Sequence, residues 1–280
     1  MKIKIWGCRG SLPTPGMKTV RYGGNTTCVE VRLADGTIII FDAGSGIRKL
    51  GKELVKEQDI SEIYLYLTHP HWDHLMGFPF FAPAYMERFK IHVRGGPRAK
   101  RSLRGYLAHQ MEAPFFPVRF QSMKAGFDFT QGDPKIRKIG NAEIVPIVLS
   151  HPNGCYGFKI VEEQKIFVFF TDHELDFNHE RSFNYDEYLD FCKGADLLIH
   201  DAQYTDEEYA FSKGWGHSTF NSATDFSIKA GVKKFGIFHH DPEHDDELMD
   251  LYTGHCKKRV EDTGSDFDCF AVMEGMDILI

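Results

Sequence analysis

Thr68-His69-Pro70-His71-Trp72-Asp73-His74-Leu75-Met76-Gly77 follows directly on an apolar run that stops at Leu67. Three imidazoles and a carboxylate fall within six consecutive residues. In an extended segment, side chains two apart point the same way, so His69 and His71 can converge on one ion. A turn into a helix near Asp73 would swing Asp73 and His74 toward a second position close by. Four nitrogen and oxygen donors on one short loop suit a pair of borderline cations such as Zn²⁺. The alternative is a His-rich surface loop. At this chain's own His and Asp frequencies, however, HxHxDH arises by chance in roughly a few sequences per thousand.

Four ligands cannot close two metal sites, so further His or Asp residues are needed at strand ends, and the chain supplies them. Ser150-His151 ends a strand over 143–149, Thr171-Asp172-His173 ends one over 166–170, and His239-His240 ends one over 235–238. A single histidine at a strand end is commonly structural. Three such ends after an HxHxDH loop make a shared purpose the better account. Asp42 ends another apolar strand, over 37–41.

Around these motifs the chain alternates strand and helix signals. Strands are expected over 1–7, 28–33, 63–67, 91–94, 156–161 and 196–199, and helices over 47–58 and 185–193. A further helix is expected over 219–230, with Ser218 as N-cap and Gly231 as its stop. Residues 99–134 resist assignment. Two β-rich halves with helices outside predict two packed sheets flanked by helices, and residues 1–280 are expected to form a single domain.

The chain has 280 residues, 42% of them hydrophobic, which allows a substantial core and excludes wholesale disorder. A formal charge of −7 argues against a nucleic-acid coat. None of the six cysteines forms a CxxC pair, which predicts buried, reduced thiols in a cytoplasmic protein. No apolar run is long enough to span a bilayer, so no membrane partner is expected.

The HPHWDH loop and the later His151, Asp172 and His239 resemble the successive metal motifs of the metallo-β-lactamase superfamily, over most of the chain. The resemblance implies the αββα fold, a four-layer α/β sandwich of two mixed sheets flanked by helices, and two divalent metal ions. These would be Zn²⁺, with Mn²⁺ or Fe²⁺ as alternatives. It further implies that His69, His71 and His151 hold one ion, that Asp73, His74 and His239 hold the other, and that Asp172 bridges them. Asp42 would orient the ligand loop. His239 is preferred to His240 as the last ligand because it follows the strand directly.

Within the superfamily, Gly10-Ser11-Leu12-Pro13-Thr14-Pro15, Gly23-Gly24-Asn25-Thr26-Thr27, His200-Asp201-Ala202-Gln203 and Gly216-His217-Ser218-Thr219 are similar to motifs of the tRNase Z and cyclic phosphodiesterase branch. That similarity implies a relay of Asp201 and His217 beside the metals, so that Asp73, Asp201 and His217 are the expected catalytic groups. Asp201 departs from the branch's glutamate, and the shorter carboxylate leaves its reach open. Metal-activated water would attack phosphorus while His217 assists the leaving oxygen.

No long inserted arm of the kind tRNase Z enzymes use to clamp tRNA is visible. A small phosphodiester, such as a cyclic nucleotide, is therefore ranked ahead of RNA as substrate, with RNA 3′-processing as the alternative. An inactive metal-binding sensor or partner module is the competing class, opposed by the completeness of the ligand set. The resemblance allows a homodimer, and no segment requires one. Arg94, Arg98, Lys100, Arg101 and Arg104 form a local basic cluster, either a solvated helix face or a grip on phosphates. Trp72, Tyr204 and Trp215 either pack or stack on a base, and Arg21 and Tyr22 are further candidates for the cleft.

Overall fold

Ile38-Ile39-Ile40-Phe41 and Phe167-Val168-Phe169-Phe170 are apolar at every position because each strand is covered on both faces. The computed structural model describes residues 1–96, 102–129 and 135–280. Among these residues, β1 (Lys2–Gly7), β2 (Cys28–Arg32), β3 (Ile38–Phe41), β4 (Glu62–Leu67), β5 (Lys90–Gly95) and β6 (Gly126–Phe129) make the first sheet. The second contains β7 (Arg137–Ile139), β8 (Ala142–Leu149), β9 (Cys155–Glu162), β10 (Lys165–Phe170), β11 (Leu197–Asp201), β12 (Lys234–Phe238) and β13 (Asp268–Ala271). The last strand, β14 (Asp277–Leu279), returns to the first sheet and pairs with β1.

The strand orders are β14-β1-β2-β3-β4-β5-β6 and β13-β12-β11-β10-β9-β8-β7. Each sheet is mixed: antiparallel pairs on one side give way to parallel ones from β3 to β6 and from β10 to β13. Helices α1 (Ile47–Leu54) and α2 (Leu103–His109) lie on the first sheet. Helices α3 (Tyr185–Cys192), α5 (Phe220–Ala230) and α6 (Asp246–Asp262) cover the second, and α4 (Asp206–Ser212) precedes α5.

Three cores separate the four layers. Ile39 and Phe41 of β3 meet Phe167 and Phe169 of β10 in the core between the sheets. Ile38 and Ile40 face α1, while Val168 and Phe170 face the helices of the second sheet. Phe41 anchors the middle, with its ring centroid 5.3 Å from those of both Phe158 and Phe169. Truncating a buried phenylalanine of this kind costs about 3–5 kcal/mol. The four-layer expectation therefore holds.

Some local expectations are corrected. The N-cap of α5 is Thr219, whose side chain and that of Ser222 form a reciprocal capping box. Ser218 is drawn into tertiary contacts instead: its hydroxyl donates to the His173 carbonyl (2.5 Å) and accepts from the Leu175 N–H (3.1 Å). Helix α1 stops at Leu54, short of residue 58. Strands β6, β7, β13 and β14 and helices α4 and α6 were not foreseen.

Candidate metal centre

The parallel strands β3, β4, β10, β11 and β12 all end at one rim of the sandwich, and the motif residues follow those ends directly. This is where open α/β sheets place ligands. After β4 the chain runs extended through His71 and then turns through a single 3₁₀ turn, Trp72–His74. The loop thus presents His69 and His71 to one position and Asp73 and His74 to another.

Two clusters of potential ligand atoms result, each with its atoms within 4.8 Å of one another. One is His69, His71, His151 and Asp172; the other is Asp73, His74, His239 and Asp172. Asp172 divides its carboxylate between them. Its Oδ2 faces His69 Nε2 (3.5 Å) and His151 Nε2 (3.8 Å), and its Oδ1 faces His74 Nε2 (3.2 Å) and His239 Nε2 (3.3 Å). Asp73 Oδ2 lies 3.1 Å from His74 Nε2 and 3.2 Å from His239 Nε2. All of these residues are buried except His71, which is half-buried.

In His69, His74, His151 and His239 the ring nitrogen that faces away from the clusters is engaged. His74 Nδ1–H donates to Asp42 Oδ2 (2.8 Å), and His151 Nδ1–H to the Gly216 carbonyl (2.9 Å). His239 Nδ1–H donates to Gln203 Oε1 (3.0 Å). His69 Nδ1–H meets Thr68 Oγ1 (3.1 Å), whose own proton goes to Asp42 (2.9 Å). Such partners fix the tautomer and leave the Nε2 lone pairs aimed inward. The Nε2 atoms of His69 and His74 are fully buried and make no hydrogen bond. Orphaned buried nitrogens among carboxylates fit a cation between them. The buried His/Asp clusters therefore suit a dinuclear metal site.

Electrostatics agree. Burial drives His151 down to about 3 and pushes His69 well below its usual value, keeping both imidazoles neutral as ligands must be. Burial raises the carboxyls of Asp73 and Asp172, but facing histidines outweigh it and hold both well below the usual range. Burial opposes charge on His74 too, yet Asp172, Asp73 and Asp42 together raise it well above its usual value. The pocket thus demands positive charge.

Backbone geometry at the rim is unusual. Asp42 (φ 63°), Asp172 (φ 49°) and His239 (φ 61°) all sit in the left-handed region immediately beyond strands. Non-glycine residues held there cost about 1 kcal/mol or more each, a strain typical of functional sites. Two glycines make room for rings. A Cβ on Gly10 would lie 2.5 Å from His239 Nδ1, and one on Gly216 (φ +100°) only 2.1 Å from His151 Nδ1.

Asp201 and His217 come together beside this centre. His217 Nδ1–H donates to Asp201 Oδ2 at 2.6 Å, so the shorter carboxylate does reach. The His217 ring lies 4.9 Å from that of His239 and 5.3 Å from that of His151. Burial opposes its protonation, but Asp201 outweighs burial, with help from Asp172 and Asp73, and raises it to about 9. His240 turns away: its Nε2–H donates to the Val272 carbonyl (2.8 Å).

Several supporting residues carried no sequence signal of their role. Glu174 is buried, and its carboxylate accepts from Tyr209 OH, the Gly214 and Gly216 N–H groups and His179 Nε2–H, all at 2.7–2.9 Å. It thereby pins the loop that carries both the Gly216 carbonyl and His217. The Ser11 N–H donates to Asp73 Oδ2 (2.9 Å). Buried Arg9 ties the Gly23 carbonyl to those of Asp241 and His244.

Other candidates fall elsewhere. Arg94 is buried and spends its guanidinium on Asp128 and the Val93 carbonyl, which removes it as a phosphate grip. Arg98, Lys100 and Arg101 lie outside the described residues. Arg21 and Tyr22 do not line the cleft but are tied to Asp246 and Asp250 of α6. Tyr204 is buried beneath His217, ring centroids 5.8 Å apart.

Comparison with known proteins agrees with the geometry. The family described as "Beta-lactamase superfamily domain" matches residues 37–240. A curated relative, Ribonuclease Z of Haloarcula marismortui, is 25% identical, with 89% of this chain and 90% of the relative covered. Among solved structures, the metallo-β-lactamase fold protein YhfI of Bacillus subtilis is similar with a TM-score of 0.70 at 16% identity, covering 99% of this chain and 98% of that one. A diphosphatase of the PhnP family gives 0.69 at 14% identity, covering 100% and 97%. At such identities the structural likeness speaks to fold alone. The chain belongs to the metallo-β-lactamase superfamily and is a metal-dependent hydrolase within it.

Proposed function

We propose that the protein hydrolyses a phosphodiester bond in RNA, in the manner its similarity to Ribonuclease Z suggests. In this reading His69, His71 and His151 hold one divalent ion, Asp73, His74 and His239 hold a second, and Asp172 lies between them. The donor set, rich in imidazole with carboxylates, favours Zn²⁺ over harder cations. Bound ions of this kind activate water near neutral pH and neutralise charge on phosphoryl oxygens. Asp42, Thr68, Gly216 and Gln203 orient the ligand imidazoles through their outer nitrogens.

The observation that carries the reading is the Asp201–His217 pair beside the clusters. With Nδ1–H bound to Asp201, His217 keeps Nε2 available to donate a proton to a leaving oxygen. The Asp201 carboxylate favours the protonated form of that ring, as a general acid requires. Lactam or thioester hydrolysis has no need of such a pair.

RNA takes precedence over the small phosphodiester ranked first from the sequence because curated relatives bear the name Ribonuclease Z. The small substrate keeps a place through the formal charge of −7 and the engagement of Arg94 by Asp128. The test is turnover by zinc- or manganese-loaded protein. Cleavage of bis-p-nitrophenyl phosphate, with 3′-extended precursor tRNA outcompeting cyclic nucleotides, is the expected outcome. Cyclic-nucleotide hydrolysis without RNA cleavage would reverse the order of substrates, and no turnover of any phosphodiester would remove the function.

A further inference from the structure

Two exposed tryptophans adjoin residues of the centre in the chain. Among the residues of the two ligand clusters only His71 is half-buried, so the centre opens on its side. Trp72 follows His71 directly and is 74% exposed. Trp215 precedes Gly216, whose carbonyl accepts from His151, and is 63% exposed. Consecutive Cα atoms are about 3.8 Å apart, so each indole is rooted within one or two residues of a group facing the clusters.

Neither indole has an internal occupation. Among the described residues, neither Nε1–H finds an acceptor and neither ring stacks on another ring or a cation. Trp6, the chain's remaining tryptophan, differs on each count: it is half-buried, donates to Glu30 (2.7 Å) and lies under Lys4. Exposing so large an apolar surface forgoes the stabilisation its burial would bring. Two such surfaces rooted beside residues of the centre are suited to a flat, π-faced ligand.

We propose that Trp72 and Trp215 are stacking platforms for the nucleobases flanking the scissile phosphodiester. The proposal rests on the phosphodiesterase reading and deepens it: the substrate is nucleotidic, and it is gripped by its bases more than by cations on its phosphates. Stacking accepts any base because every base has a π-face, and each stacked base is expected to tighten binding about fivefold or more. Such a grip also suits an acidic protein in which Arg94 is already engaged.

Tryptophan fluorescence of the zinc-supplied protein, titrated with AMP and with ribose 5-phosphate, tests this. AMP should quench the emission and bind at least about fivefold more tightly than the base-free sugar phosphate. The Trp72→Ala/Trp215→Ala double variant, checked for unchanged zinc content and circular dichroism, should lose that preference. Single Trp→Phe variants would apportion the signal. Equal affinity for the two ligands, no binding of either, or a preference that survives the double substitution would overturn the proposal. Turnover of bis-p-nitrophenyl phosphate by the unsubstituted protein judges the phosphodiesterase reading separately.

Discussion

The first sheet contributes its share of the centre from six consecutive residues, His69 to His74, whereas the second gathers His151, Asp172 and His239 from three strand ends. The two halves are held differently. The first depends on one extended segment, one 3₁₀ turn, and the outer support of Asp42 and Thr68. On that side the left-handed residue is Asp42, which props the loop from behind. On the second sheet the left-handed residues Asp172 and His239 themselves face the clusters. Their strain is sustained by β10 and β12, which are buried on both faces. A local half can be specified by a motif; a dispersed half exists only once the fold has formed.

The comparison can be broken at its hinge. Asp172 faces both clusters, so Asp172→Asn, which tolerates the left-handed backbone, should abolish activity and reduce bound metal to about one ion or fewer per chain. Elemental analysis with an activity assay would show it, and full metal content would contradict it. Next in size, His217→Ala should lower turnover about a hundredfold or more while metal content stays full. Unchanged turnover would remove His217 from the chemistry.

Asp42→Asn probes the local half. It keeps a residue fit for φ 63° but replaces the carboxylate behind His74, and should weaken metal binding about ten- to a hundredfold in chelator competition. An unaltered affinity would show that the loop orients itself.

The smallest effect expected is one of pH. In chelated protein, His217 has a pKa raised to about 9, chiefly by Asp201 acting against burial. Its contribution to stability is fully present below its unfolded value near 6.5 and is lost as pH rises through about 9. Urea unfolding at pH 6 and pH 10 should therefore show a loss at the higher pH that Asp201→Asn removes. The same loss in both proteins would assign it to other groups.

Legibility followed the same division. HPHWDH is readable because its ligands are neighbours, and the later ligands because Leu149, Phe170 and Phe238 close apolar runs just before Ser150-His151, Thr171-Asp172 and His239. Glu174 was not readable: one glutamate beside a motif says nothing until Gly214, Gly216, His179 and Tyr209 converge on it. Helix α6 was hidden because its buried face, Met249, Thr253, Cys256 and Val260, includes a threonine and a cysteine and makes a weak apolar stripe. The N-cap of α5 shifted from Ser218 to Thr219 because two adjacent hydroxyl residues are equally good caps, and only tertiary contacts separate them.

The central claim is that two cations share Asp172. Crystals of the metal-supplied protein, measured at the absorption edge of the bound metal, would test it most directly. The expected result is two anomalous peaks on either side of the Asp172 carboxylate, one among His69, His71 and His151 and the other among Asp73, His74 and His239. A single peak away from Asp172, or none, would contradict the account.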